Sequence, residues 1–352
     1  MADYEAPSDR WGFIDTSGNL VIKAVYDDVG PFTEGLAAVQ KDGKWGYIDH
    51  SGEMVIDPVY KSAWAFHEGF ARVLPFDNPD QFIDRTGKAI IGDNWSAADD
   101  FSNGMARVMV GNSYGYIDTS GKLIIQPIYT RGWNFQNESC IVEYHDKLGL
   151  INREGVNILE PVYDKIKRAG DGNTFLCSHD NASIAFDKSG KELTRLEGVK
   201  MIDSDGEVLS VREGNDMYLI SLNDLAQKSK SYMNIIYLEK NLWAGKIDSG
   251  YILMDKNGNA LSSQTYTQIN KFSDGFAAYS KDNLWGYINA KGEELTGEVF
   301  GLAWDYREGF ARAAFQDGMA FINKYQKLAF YPPHGTLDMR DFTEGLASVQ
   351  LD

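Results

Sequence analysis

Cysteine is nearly missing from this chain. Cys140 and Cys177 are the only two in 352 residues, which excludes a disulfide framework. Basic residues are short: 34 Lys and Arg stand against 51 Asp and Glu, a formal net charge of −17. Nucleic acid is therefore a poor direct partner, because binding it requires neutralising Lys and Arg. The acidic balance suits solubility or attraction to a basic protein. No run is long and apolar enough to span a membrane, and no signal peptide or lipidation site is visible. The cytoplasm is the expected compartment. The five histidines have no metal-ligand spacing. No phosphate-binding glycine loop occurs, and no nucleophile with its base can be assembled. No cofactor, metal or catalytic residue is expected, and the chain is read as non-enzymatic.

What the chain does have is glycine, 35 residues against 9 prolines, and 13% aromatics. That balance suits many short strands joined by tight turns. One pattern recurs about every 34 residues. Its clearest copy is Lys44-Trp45-Gly46-Tyr47-Ile48-Asp49, then Ser51-Gly52, Val55-Ile56, Pro58, Tyr60, Phe66, Glu68-Gly69 and Ala71. A tyrosine or its substitute falls at Tyr26, Tyr60, Trp95, Tyr129, Tyr163, Tyr266, Phe300 and His334. The Glu-Gly glycine falls at Gly35, Gly69, Gly104, Gly275, Gly309 and Gly345. All ladders keep one phase, so a single supersecondary unit is stacked about ten times. Residues 1–10 read as a lead-in and 11–352 as one repeat domain, with divergent central units at 165–250.

Within a unit, Trp45 to Asp49 is an aromatic and β-branched run that favours a strand. Asp49-His50-Ser51-Gly52 suits a tight turn. There the Asp oxygen accepts backbone N–H groups and Gly supplies positive φ. Asp15, Asp84, Asp118, Asp187 and Asp255 hold the same place, so turn closure is their expected role. Glu53 to Asp57 returns as a strand, which Pro58 ends. Tyr60 to Glu68 reads as a loop, and Gly69 to Leu74 as the third strand. Recurrent Ala37, Ala71, Ala106, Ala277, Ala311 and Ala347 mark close packing between neighbouring sheets. The polar stretch Asp224–Ser231 reads as a short helix.

The motifs around Trp45-Gly46, Leu284-Trp285-Gly286-Tyr287-Ile288-Asn289, Arg10-Trp11-Gly12-Phe13-Ile14-Asp15 and Tyr114-Gly115-Tyr116-Ile117-Asp118 resemble the WG (or KWG) β-repeat family. Phe32-Thr33-Glu34-Gly35-Leu36-Ala37 and Phe342-Thr343-Glu344-Gly345-Leu346-Ala347 match its second element. The resemblance implies an all-β interaction scaffold, with no catalytic residues and no fixed ligand.

The expected fold is all-β: about ten three-stranded antiparallel units in a closed or nearly closed propeller-like ring. An open β-solenoid or superhelical arc is the alternative. Closure is favoured because Leu346 to Val349 would complete the unit that begins at Trp11.

A residue type present in every unit serves the unit, so individuality lies in the exceptions. Trp64, Trp133 and Trp304 precede the loop aromatic by two residues, and Trp95 and Trp243 are irregular. Exposed tryptophan marks interfaces and stacks on sugars. Arg72, Arg107 and Arg312 share one strand position and form a candidate row of ligand contacts. The leading function is a protein-binding scaffold for a basic partner, in one version an immunity or antitoxin-like inhibitor of a basic toxin such as a nuclease. A carbohydrate-binding module using the tryptophans is the alternative. An enzyme with one site in the divergent units is the third, and no motif supports it.

Overall fold

A computed structural model describes residues 9–90 and 95–352. Among these residues every regular element is a strand, and no helix is long and apolar enough to cross a membrane. The strands form ten small antiparallel sheets arranged in a ring, a ten-bladed β-propeller. Blade 1 combines both ends of the chain, Thr336–Met339 and Ala347–Leu351 with Arg10–Ile14 and Leu20–Tyr26. Blade 2 is Asp28–Thr33, Leu36–Lys41, Lys44–Asp49 and Met54–Tyr60. Blades 3 to 10 follow at 62–90, 97–129, 131–163, 165–197, 200–221, 234–255, 268–289 and 302–330.

Seven sheets have four strands and three have three, so the usual blade carries one strand more than the sequence pattern suggests. The extra strand is the segment read as a loop. In blade 3, Ser62–His67 pairs with Phe70–Leu74, with an irregularity between Ala63 and Phe66. That break spoils the alternation by which a strand is recognised. In blades 7 to 9 only single bridges, such as Met217 to Tyr232 and Trp285 to Phe300, occupy the fourth place. Asp224–Ser231 is a turn with a bridge from Lys228 to Ile220, not a helix.

The Trp-Gly signature has a steric cause. Trp45 faces Tyr60 and Tyr47 faces Ile56, so the outer strand has excess residues opposite Gly46. Pro58 sits inside this bulge and the ladder resumes at Tyr60. The bulged backbone presses onto the glycine: a Cβ on Gly46 would lie 2.7 Å from the Pro58 nitrogen. Gly12 and Gly115 stand in the same way, 2.5 Å from the carbonyl oxygens of Ile22 and Ile125. Glycine is needed here for close approach, not for its φ.

From blade 9 through blades 10, 1, 2 and 3 to blade 4, neighbouring blades are joined by a relay of turns. Between the first and second strands of blade 2, Glu34 and Gly35 have φ of 52° and 82°, the two positive values of a primed hairpin turn. The Glu34 carboxylate accepts the Gly69 N–H of blade 3 at 2.8 Å. Glu68 serves Gly104 at 2.6 Å, Glu308 serves Gly345 at 2.8 Å, and Glu344 serves Gly35 at 2.9 Å. Asp274 does the same for Gly309. The alanine ladder lies buried between the sheets. Hydrogen bonds close the ring: Arg10–Ile14 pairs through five residues with Ala347–Leu351.

The turn carboxylates close the hairpin between the third and fourth strands. Asp49 Oδ1 accepts the N–H of Ser51 at 2.9 Å and of Glu53 at 3.1 Å. Asp15, Asp84, Asp118, Asp187 and Asp255 repeat the pair of bonds, and Asn152, Asn289 and Asn323 do so without charge. The Ser51 hydroxyl holds the Asp49 carboxyl below its ordinary range, as Thr86 does for Asp84 and the Asn19 N–H for Asp15. At Asp118 and Asp187 slight burial pulls upward and the bonds from Ser120 and Ser189 with their neighbours outweigh it. A depressed carboxylate contributes stability above its unfolded pKa of about 3.9, lost as pH falls through the folded value. Replacing these five aspartates by Asn retains the acceptor oxygen and removes the titration. The variant is expected to lose less stability between about pH 4 and pH 2 than the parent. Thermal unfolding across that range checks it, and an unchanged acid slope contradicts it.

Candidate functional site

The first strands of the blades lie nearest the ring axis. Consecutive ones touch, as Asp28–Thr33 and Ser62–His67 do, and their turns are bonded blade to blade. The outermost strands instead carry exposed valines such as Val21, Val25, Val55 and Val59. One residue per first strand, two before the aromatic, gives its N–H to the second strand. Asp99 donates to Arg107, Trp133 to Ile141, Asn270 to Ala278, Trp304 to Arg312 and Arg340 to Ser348, at 2.8–3.1 Å. The same backbone is held from behind by the tyrosine of the preceding blade. The hydroxyls of Tyr47, Tyr116 and Tyr287 donate to the carbonyls of Trp64, Trp133 and Trp304 at 2.8, 2.9 and 2.6 Å. Burial pushes all three phenols up, so they remain protonated donors.

Three tryptophans therefore share one position, and their surroundings differ. The Arg72 guanidinium lies 3.6 Å over the Trp64 ring and is tied to Asp80 and Asp100 at 3.3 and 3.2 Å. Arg312 covers Trp304 at 4.9 Å, with Asp341 at 2.6 Å and the Met339 carbonyl at 2.7 Å. Arg107 stacks on Tyr114 and is bound by Asp99 and the Gly132 carbonyl. Asp100, Gly132, Met339 and Asp341 belong to the next blade, so the arginine row fastens neighbouring blades and is not a free set of ligand contacts.

Trp133 is different. Ile141 replaces the arginine across the strand pair, and the indole is 44% exposed. Its carbonyl accepts from the Cys140 thiol at 2.8 Å as well as from Tyr116. Burial raises the Cys140 thiol to about 11, so it too stays protonated. The indole stands in a cleft of about 390 Å³ with Asp99, Arg107, Asn134, Gln136 and Arg168. Arg168 spends its guanidinium on the carbonyls of Gln136 and Gly172 and the Ser139 hydroxyl. The result is an exposed aromatic on a rigid backbone, rimmed by polar groups.

Two tryptophans expected at the surface are interior. Trp243 is wholly buried with Met217, Leu219 and Tyr232, and Trp95 packs on Phe82 while its Nε1–H bonds the Asp80 carbonyl at 3.0 Å. Both fill the seam between sheets. Among the described residues no group of three His, Cys, Asp or Glu is arranged to hold a metal ion. A feature that motifs do not reveal lies between blades 6 and 7, where Lys165, Lys167 and Lys200 line a second cavity. The signal available was the spacing of Arg131, Lys165 and Lys200, which repeat one register position.

A family described as "WG containing repeat" matches residues 11–45, 45–74, 82–114, 114–147, 149–173, 253–285 and 285–318, well over half of the chain. No curated protein matches. Among solved structures, a eukaryotic initiation factor is 9% identical over 88% of this chain and 87% of its own, with a TM-score of 0.51. The computationally designed Ika8 protein is 13% identical over 84% and 95%, with a TM-score of 0.37. BamB from Moraxella catarrhalis is 11% identical over 99% and 98%, with a TM-score of 0.35. At such identity the likeness to the initiation factor is one of fold alone.

Proposed function

The chain belongs to the WG containing repeat family, and from that premise we propose that it is a non-enzymatic scaffold that binds another protein at the ring axis. The observation that carries the reading is Trp133: exposed, braced from behind by Tyr116 and Cys140, and rimmed by polar side chains. Interface energy concentrates in such aromatic anchors, where bracing lowers the entropy lost on binding. The net charge of −17 favours a basic partner and speeds its encounter. An immunity or antitoxin-like inhibitor of a basic toxin, such as a nuclease, is the most concrete form of this proposal. Both cysteines are free and buried, which suits a reducing cytoplasm.

Capture from the native organism at low salt, repeated with Trp133→Ala, tests the reading. A basic partner is expected whose affinity falls by about 30-fold or more in the variant, the loss typical of a hot spot, and which is released by salt. The unfolding midpoint should barely move. Absence of any partner, or equal capture by the variant, overturns the proposal.

Asn134 and Gln136 beside the indole favour a second reading, a glycan stacked on Trp133 with its hydroxyls on the amides. A glycan array with the same variant as control decides it, and silence across the array ends it.

A further inference from the structure

Lys165 and Lys200 occupy one register position of the innermost strands in adjacent blades. Lys165 faces Ser178 in blade 6, and Lys200 faces Arg212 in blade 7. Elsewhere on the ring this position holds Asp28, Ser62, Ala97, Asn234, Gln268, Leu302 and, in blade 5, Arg131, which is paired with Glu143 at 3.8 Å. Together with Lys167, the two lysines rim a cavity of about 500 Å³, within the range of roughly 300–1,000 Å³ for small-molecule sites. Lys167 is committed to Asp203 at 2.7 Å and to the Ile202 carbonyl at 2.8 Å. Among the described residues, Lys165 and Lys200 have no carboxylate within ion-pair distance. In a chain with seventeen excess negative charges, both of these ammonium-bearing side chains line one cavity. An anion held in the cavity would be attracted by both.

The interior of the cavity is of another kind. Leu176 and Met201, both buried, form its apolar wall. Ser178 and Ser183 face each other across the strand pair and also line it. Among the described residues, neither hydroxyl has a hydrogen-bond partner. Two spare hydroxyl donors beside two spare ammonium groups make a receptor for an anionic head, and the apolar wall makes one for a short hydrocarbon body.

We propose that the cleft between blades 6 and 7 is a binding site for a small amphipathic organic anion, such as an alkyl phosphate or carboxylate. This site lies in the divergent units and does not depend on the partner reading at Trp133. Three lysines line this cavity in a chain that is acidic as a whole.

Titration calorimetry on the full chain tests it with octyl phosphate, inorganic phosphate and octyltrimethylammonium. Octyl phosphate is expected to bind one site, at least tenfold more tightly than inorganic phosphate. Octyltrimethylammonium should give no saturable heat. Lys165→Gln with Lys200→Gln should weaken octyl phosphate at least tenfold, whereas Lys23→Gln with Lys327→Gln should not. The exposed lysines are replaced without touching the core, and circular dichroism verifies that the fold survives. Equal binding of the cation, equal binding of inorganic phosphate, or an unchanged affinity in the Lys165/Lys200 variant each overturns the proposal. A glutamate-rich peptide that binds while octyl phosphate does not also overturns it.

Discussion

Val349→Asp is expected to abolish cooperative folding at 25 °C. Val349 is fully buried in the strand that closes the ring, opposite Gly12 on one side and Met339 on the other. Losing its apolar burial costs about 1.5–3 kcal/mol. An unpaired carboxylate forced into that seam costs several kcal/mol more, or drives the strand out. The sum is comparable with the whole stability of a typical domain, about 5–15 kcal/mol. Val349→Ala leaves the strand in place and should cost about 2 kcal/mol. Chemical unfolding followed by tryptophan fluorescence separates the two. A Val349→Asp protein that unfolds cooperatively at nearly the parent's denaturant midpoint would show that this strand does not close the ring.

The second large effect belongs to Gly46→Ala. The added methyl meets the backbone of Asp57 and Pro58 in the bulge, atoms that cannot swing aside as a side chain does. A loss of about 3 kcal/mol is expected, at the upper end for overpacking. Gly43, three residues earlier, has open space around it but a φ of +74°, so Gly43→Ala should cost only about 1 kcal/mol. The order of the two losses distinguishes a glycine kept for room from one kept for backbone conformation. Equal losses would mean that the bulge yields.

The repeating residues make most of the architecture legible in the amino-acid sequence. Asp49, Gly46 and Glu34 recur because each performs one local task that spacing exposes: an acceptor, an empty space, a turn. The first strand is hidden because Ser62–His67 bends between Ala63 and Phe66, so it presents no alternation. Burial is legible only within the consensus. Trp243 lies in a divergent unit, where no neighbouring copy indicates which face is inside, and its full burial follows from packing against blade 7. The three inner tryptophans share a position that spacing identifies, yet only Trp133 is free. That distinction rests on residue 141 being Ile where residues 72 and 312 are Arg, a difference whose meaning depends on the strand pairing. Lys165 lies near the end of one repeat match and Lys200 outside all of them, so repeat matching does not bring the pair together.

The turn relay has a consequence for how such a ring changes over generations. Each Glu-Gly turn carries both halves of a joint, a carboxylate for the blade that follows and an N–H for the blade that precedes. A unit copied in tandem thus arrives with its own acceptor and its own donor. Inserting it leaves neither neighbour with an orphaned group. The relay runs in one direction, so the copy has only one way to fit. Blade number is then a quantity that duplication or loss of one 34-residue piece alters in a single event, with the seam chemistry kept wherever the copied unit carries the relay.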